Sequence, residues 1–205
     1  MGNDQPLLLA VMLAATAYFG KLWFDDYRAA RAGRPNPRAL PGAVPPARHL
    51  GTALAVLGAL VILAAETVGE YALGVSDEQS TVTVLFGLYT LGAAFLEELI
   101  FRGFIVVPNR GRPWLLASIV GASLVFAIAH PFLWEWRYDG LQFDFGRKAW
   151  FSTAVVLATS LWFYTVRFWS LNPVRSLVPC IAAHAAKNLG VFAIKYAQGF
   201  VSGWW

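Results

Sequence analysis

The chain has 205 residues, of which 58% are hydrophobic and only 14% charged, and its formal net charge is +4 at pH 7. Soluble domains carry about 25% charged residues, so this composition indicates a membrane protein and leaves no room for a second, soluble domain. Most basic residues lie in short loops between apolar runs, which is typical of membrane topology signals and argues against nucleic-acid binding.

Six apolar stretches approach the roughly 20 residues that a helix needs to cross a bilayer. They predict an all-α, polytopic integral membrane protein with about six transmembrane helices in a single membrane domain over residues 1–205. Residues 1–75 contain the first two helices and a basic, Pro-rich linker, and residues 81–197 form a four-helix core. The predicted helices span 6–24, 50–73, 81–107, 114–133, 149–168 and 175–197.

Lysine and arginine concentrate in three loops: the linker at 28–49, the segment "PNRGRP", and the turn flanked by Arg167 and Arg175. The positive-inside rule predicts that these loops lie on the cytoplasmic side of the cell (inner) membrane and that both termini lie on the opposite side. Five tryptophans near helix ends suit an aromatic belt at the membrane interface. They are Trp134, Trp136, Trp150, Trp204 and Trp205.

The segment "FLEELIFRG" at 95–103 places three charges in a strongly apolar helix. One ionised side chain near the bilayer centre costs on the order of 3 kcal/mol. Glu98 and Arg102 are one helical turn apart and can form an ion pair, whereas Glu97 points about 100° away and has no partner on its own helix. The three charges are therefore either an ion-pair clasp between helices or a clasp beside a functional carboxylate, Glu97.

Two further apolar helices carry polar residues that lipid would penalise. His130 follows Phe126 by one turn, and His184 and Asn188 share one face of the last helix. Because polar side chains in helix bundles converge on shared interior sites, we expect these residues to meet Glu97. Counted from the cytoplasmic helix ends, Glu97 and His184 lie about 13–15 Å deep and His130 about 24 Å, so the depth of His130 agrees least.

Three motifs occur in order: "EELIFR" as EExxxR, "FAIAH" as FxxxH and "HAAKN" as HxxxN. Over about residues 90–190 the chain resembles the CPBP family of intramembrane peptidases, which includes the CAAX prenyl endopeptidases and bacteriocin-related Abi proteins. Lys187 departs from the family pattern, which usually has an uncharged residue before the asparagine. The resemblance implies an intramembrane endopeptidase with residues 81–197 as its catalytic core, acting on a membrane-associated protein or peptide.

The resemblance also implies a glutamate-type mechanism without a cofactor. Glu97 activates a water that His130 holds, and the side chains at 184 and 188 stabilise the oxyanion. The alternative is a zinc site with Glu97, His130 and His184 as ligands, although the HExxH helix of many zinc peptidases is absent. The implied catalytic residues are Glu97, His130, His184 and Asn188, and the implied supporting residues are Glu98, Arg102 and Phe126.

Functions from two other classes could use the same buried charges. An ion- or proton-coupled transporter would show internal repeats and Gly or Pro breaks inside its helices, and the sequence shows neither clearly. A non-catalytic membrane immunity or scaffold protein would keep the packing without the chemistry, and the intact set of catalytic residues argues against it.

The remaining polar residues of the helices have structural interpretations. Glu66 and Glu70, near the outer end of the second helix, are expected to extend toward water, and Lys195 is expected to anchor the last helix at the interface. Cys180 is expected to be a small packing residue.

Overall fold

The computed structural model describes residues 6–204, which form six α-helices, one π-helix, one 3₁₀-helix and one two-stranded sheet. This confirms the predicted all-α class. Trp205 and the two chain ends, whose side of the membrane the sequence predicts, lie outside the described residues. In chain order the elements are α1 (Pro6–Arg31), α2 (His49–Leu73), α3 (Val84–Glu97), a π-helix (Glu98–Phe104), a 3₁₀-helix (Pro108–Arg110), α4 (Arg112–Ala129), β1 (Trp134–Arg137), β2 (Gly140–Phe143), α5 (Arg147–Phe168) and α6 (Val178–Ala197).

Within residues 6–204, four helical segments are long and apolar enough to cross a membrane, so the chain is an integral membrane protein. They are His49–Leu73, Val84–Arg110, Arg112–Ala129 and Arg147–Phe168. The other two predicted spans, α1 and α6, contain several charged or polar residues. In the bundle, α6 lies along α2 and α3, and α1 lies along α3.

The linker between α1 and α2 has no helix or strand but packs against the bundle. Trp23 of α1 donates its indole N–H to the carbonyl of Pro41 at 3.1 Å. Ala43 is buried in the same hydrophobic cluster as Trp23 and Leu177. Gly42 has a φ of +64°, and a Cβ there would lie 2.6 Å from Cγ of Leu177, so only glycine fits. The linker is therefore fastened to the end of the bundle where the other two basic loops lie.

The acidic residues of α2 do not extend toward water, so that prediction is wrong. Glu66 accepts a hydrogen bond from Nζ of Lys187 at 2.7 Å, and the two side chains are 17% and 9% exposed. Glu70 is buried and forms an ion pair with Lys148 of α5. Gln79 also donates to Glu70, at 2.6 Å. These ion pairs hold α2 to α5 and α6. A buried charge is tolerated in the apolar interior because its partner compensates it.

The fourth helix ends at Ala129, four residues before its predicted end. His130 has a ψ of 128°, which is extended backbone. The cause is local, because Pro131 clashes with a helical conformation of the residue that precedes it. His130 therefore leaves the helix and sits at its C-terminal boundary.

A β-hairpin that the sequence analysis did not predict connects α4 to α5. Trp134 pairs with Phe143 and Arg137 with Gly140, which leaves a two-residue turn at 138–139. The sequence does contain the signs of a hairpin, because "WEWR" alternates apolar and polar residues and a glycine follows the aspartate of the turn. It was obscured because the whole region reads as an interfacial loop rich in aromatic residues.

Candidate active site

The EExxxR segment adopts two helical forms. Glu97 is the last residue of α3, and Glu98 begins the π-helix, whose wider turn is seen in the i→i+5 bond from Ile105 N–H to the carbonyl of Ile100. The sequence predicted one continuous α-helix here. π-Helical turns are rare and frequent at functional sites because they change the direction in which side chains point.

Side chains of α5 satisfy carbonyls near the end of the π-helix. The hydroxyl of Tyr164 donates to the carbonyl of Phe101 at 2.6 Å, and Nε of Arg167 donates to the carbonyl of Arg102 at 3.2 Å. The last carbonyls of a helix have no partner within it, so these bonds stabilise the unusual geometry. The π-helix therefore depends on α5 for its shape.

Glu98 and Arg102 form the ion pair that their spacing predicts. Nη1 of Arg102 lies 3.2 Å from Oε1 of Glu98, and both side chains are fully buried. Nη2 donates to the hydroxyl of Ser160 at 2.7 Å and to the carbonyl of the same residue at 3.2 Å. The guanidinium also lies over the ring of Phe126 at 4.6 Å, a favourable cation–π distance. This pair is the structural clasp of the segment.

His184 lies between the two adjacent glutamates. Its Nδ1 is 2.8 Å from Oε1 of Glu98, and its Nε2 is 3.6 Å from Oε2 of Glu97. A carboxylate only accepts hydrogen bonds, so Nδ1 carries a hydrogen and donates a hydrogen bond to Glu98. The imidazole also packs against the ring of Phe163, with 5.0 Å between the ring centroids. The buried clasp therefore orients the imidazole toward Glu97.

Glu97 and His130 line one open cavity of about 230 Å³. Phe101, Phe126 and Pro131 form most of the remaining wall. The side chain of Glu97 is 31% exposed, whereas that of its neighbour at position 98 is fully buried. Glu97 and His130, whose depths in the membrane disagreed when counted along the sequence, thus line the same cavity.

The position of His130 also determines its tautomer. Its Nδ1 is 2.8 Å from the carbonyl of Phe126, which can only accept, so Nδ1 donates. In the neutral ring, Nε2 then has a free lone pair. The rings of Phe126 and His130 are 4.6 Å apart, as expected for two residues that wall the same pocket.

The structure does not bring Asn188 to this cavity. Its side-chain amide donates to the carbonyl of Thr90 at 3.0 Å. It lines a second, smaller and mostly apolar cavity with Phe86 and Phe192. Thr90 precedes Glu97 by seven residues, which corresponds to about 10 Å along a helix. Asn188 therefore contacts α3 two turns away from the carboxylate.

Comparison with known proteins identifies the family. A family model described as Type II CAAX prenyl endopeptidase Rce1-like matches residues 79–190. The chain belongs to this family. Separate comparisons with curated protein sequences and with solved structures found no significant match.

The match to the Rce1-like family begins just before α3 and ends within α6. It contains all three motifs and all the side chains of the Glu97 cavity, and it excludes α1, α2 and the whole linker between them. The resemblance to CAAX-type intramembrane endopeptidases that the motifs suggested is thereby confirmed.

The sequence analysis missed the polar face of α5, which lies inside the Rce1-like region. Ser160, Tyr164 and Arg167 recur at spacings of four and three residues, so they share one face of an apolar helix. All three bond to the π-helix or to Arg102. The helical spacing of these three polar residues is the feature of the sequence from which this face could have been predicted.

His130 and His184, which with Glu97 are the candidate zinc ligands, each use Nδ1 in a hydrogen bond within the protein. Nδ1 of His130 donates to a backbone carbonyl, and Nδ1 of His184 donates to Glu98. Among the side chains of residues 9–204, no group of three or more His, Cys, Asp or Glu residues is arranged to hold a metal ion.

Proposed function

We propose that this protein is an intramembrane endopeptidase that hydrolyses a peptide bond near the prenylated C-terminus of a membrane-associated protein, using a water activated by Glu97. The family supports the substrate class. The observation that carries the mechanism is the meeting of a partly exposed carboxylate, Glu97, and a histidine with a free Nε2, His130, at one cavity.

Glu97 is the general base in this proposal. Its carboxylate takes a proton from water while the water oxygen forms a bond to the carbonyl carbon of the substrate, and the carbonyl electron pair moves to oxygen. The free Nε2 of His130 accepts the second hydrogen of the same water and orients it. When the tetrahedral intermediate collapses, the C–N bond breaks and the proton on Glu97 passes to the leaving amine.

His184 stabilises the oxyanion. Because Nδ1 donates a hydrogen bond to Glu98, donation to the substrate oxygen requires a proton on Nε2 as well. Nε2 faces the reacting carboxylate at 3.6 Å, close enough to reach a substrate oxygen held beside it. Asn188 is not a donor in this mechanism, because its amide bonds to the carbonyl of Thr90, two turns away from Glu97.

The proposal is tested with the full chain reconstituted into lipid vesicles and a farnesylated, internally quenched CAAX peptide. Glu97→Gln keeps the size and hydrogen bonding of the side chain but removes the base, so turnover should fall by about 10²- to 10⁴-fold. The melting temperature should stay close to that of the wild type, because Glu97 has no arginine partner.

The matched control is Glu78→Gln, an exposed acid in the loop between α2 and α3, which should leave turnover unchanged. Near-normal turnover of Glu97→Gln would disprove its role as base. If the wild type cleaves neither the prenylated nor the unprenylated peptide, and membrane proteomes with and without the protein show the same termini, the peptidase function is wrong.

A further inference from the structure

The β-hairpin between α4 and α5 is amphipathic. Successive residues of a strand point to opposite faces, and the register places Trp134 opposite Phe143 and Trp136 opposite Leu141 on the same face. The other face carries the pair of Glu135 with Gln142 and that of Arg137 with Gly140. One face is therefore entirely apolar, and the other is polar or bare.

Three of the four side chains on the apolar face are exposed, and the fourth, Trp134, is half-buried beside α4. Trp136 is 72% exposed, Phe143 is 64% exposed and Leu141 is 46% exposed. Tyr138, in the turn, is fully exposed. A lone two-stranded hairpin is marginally stable in water, and such a row of large apolar side chains normally marks an interaction surface.

The attachment of the hairpin keeps it beside the bilayer. Residues 130–133 join it to α4, and residues 144–146 join it to α5. Both helices are long and apolar enough to span the membrane, so the hairpin begins where they leave it. The indole N–H of Trp134 also donates to the carbonyl of Ile128 at 2.7 Å, which fastens the base of β1 to the last turn of α4.

We propose that the β1–β2 hairpin binds the lipid surface, with its apolar face in the headgroup region of the leaflet at the His130 end of α4. Trp and Tyr side chains favour this layer because it accommodates both their apolar rings and their polar N–H or O–H groups. The bilayer then covers the apolar side chains that the protein leaves exposed.

The other face of the hairpin stays in water in this arrangement. Glu135, Arg137 and Gln142 line an open cavity of about 450 Å³ together with aromatic residues that include Trp134 and Phe143. Pro131 lines both this cavity and the smaller one that contains Glu97. A hairpin held flat on the lipid would therefore keep the polar side of this cavity beside the cavity of Glu97 at the membrane surface. The lipid contact itself is independent of the proposed peptidase activity.

Adjacent residues of β2 provide the test. Cys180 is fully buried and is not expected to react with a label, so Leu141→Cys and Gln142→Cys can each carry a nitroxide in the otherwise unchanged full chain. The proteins are reconstituted into vesicles of phosphatidylcholine and phosphatidylglycerol, and the accessibility of each label to oxygen and to a water-soluble nickel chelate is measured. Trp136→Cys and Glu135→Cys repeat the comparison on β1.

Lipid binding predicts alternation. The labels at 136 and 141 should show an oxygen-to-nickel accessibility ratio severalfold higher than those at 135 and 142. Equal nickel accessibility at all four positions would overturn the proposal. It would also be overturned if the label at 141 were open to nickel in empty vesicles and became shielded only when a farnesylated peptide was added, because the apolar face would then bind substrate instead.

Discussion

Replacing Glu98 by glutamine should destabilise the protein far more than the same change at Glu97. Glu98→Gln preserves the size of the side chain and an oxygen that can accept from Nδ1 of His184. It removes the charge that compensates Arg102, and both members of the Glu98–Arg102 pair are completely buried at 3.2 Å. Glu97 is 31% exposed and has no arginine partner, so its replacement leaves no buried cation unpaired.

The size of the effect follows from the surroundings of the guanidinium. Removing one partner of a buried ion pair costs about 3–5 kcal/mol. Arg102 keeps its hydrogen bonds to Ser160 and its cation–π contacts with Phe126 at 4.6 Å and Tyr164 at 4.9 Å. These interactions partly compensate the charge, so we expect a loss near the lower end, about 3 kcal/mol. For a chain of this size that corresponds to a fall of about 6–12 °C in melting temperature.

The measurement is thermal unfolding of wild type, Glu98→Gln and Glu97→Gln in the same detergent, followed by intrinsic fluorescence, with turnover normalised to folded protein. Glu97→Gln should melt within about 1–2 °C of the wild type, since substitutions away from buried pairs change stability by about 0.5 kcal/mol. Equal melting temperatures for the two variants would refute the assignment of Glu98 to the clasp. A stable but inactive Glu98→Gln beside an active Glu97→Gln would show that the two roles are reversed.

Four further predictions concern the bundle and its chemistry. Lys187→Met should destabilise the protein by about 1–3 kcal/mol because it leaves the carboxylate of Glu66 without its partner, and the double variant with Glu66→Leu should recover most of that loss in thermal unfolding. Gly58→Ala places a Cβ 2.1 Å from the ring of Trp162 and should cost about 1–3 kcal/mol, whereas Gly121→Ala, with no atom within 4 Å, should cost nothing measurable. Peptidase activity should survive exhaustive chelation, and activity lost to chelator and restored by zinc would contradict the metal-free mechanism. A reporter fused to the C-terminus should be active only on the non-cytoplasmic side, and cytoplasmic activity would invert the predicted topology.

The properties that the sequence determined by itself are those that depend on neighbours along the chain. Apolar runs of bilayer length predicted six helices, because the length of a helix that crosses lipid is set by its rise per residue. The pairing of Glu98 with Arg102 was predictable for the same reason, since residues four apart meet on any helix and still meet in the wider π-turn. The end of α4 beside Pro131 was also encoded locally, although the apolar run concealed it.

Tertiary structure alone decided which helix faces meet. His184 and Asn188 share a face of α6, yet the first lies between two carboxylates and the second donates to Thr90, because α3 runs past α6 and presents different residues at successive turns. Lys187 is paired with Glu66, which lies 121 positions away in sequence. The free energy of each such contact depends on the packing of the whole bundle, and spacing along one helix carries no information about the residues that a neighbouring helix places opposite it.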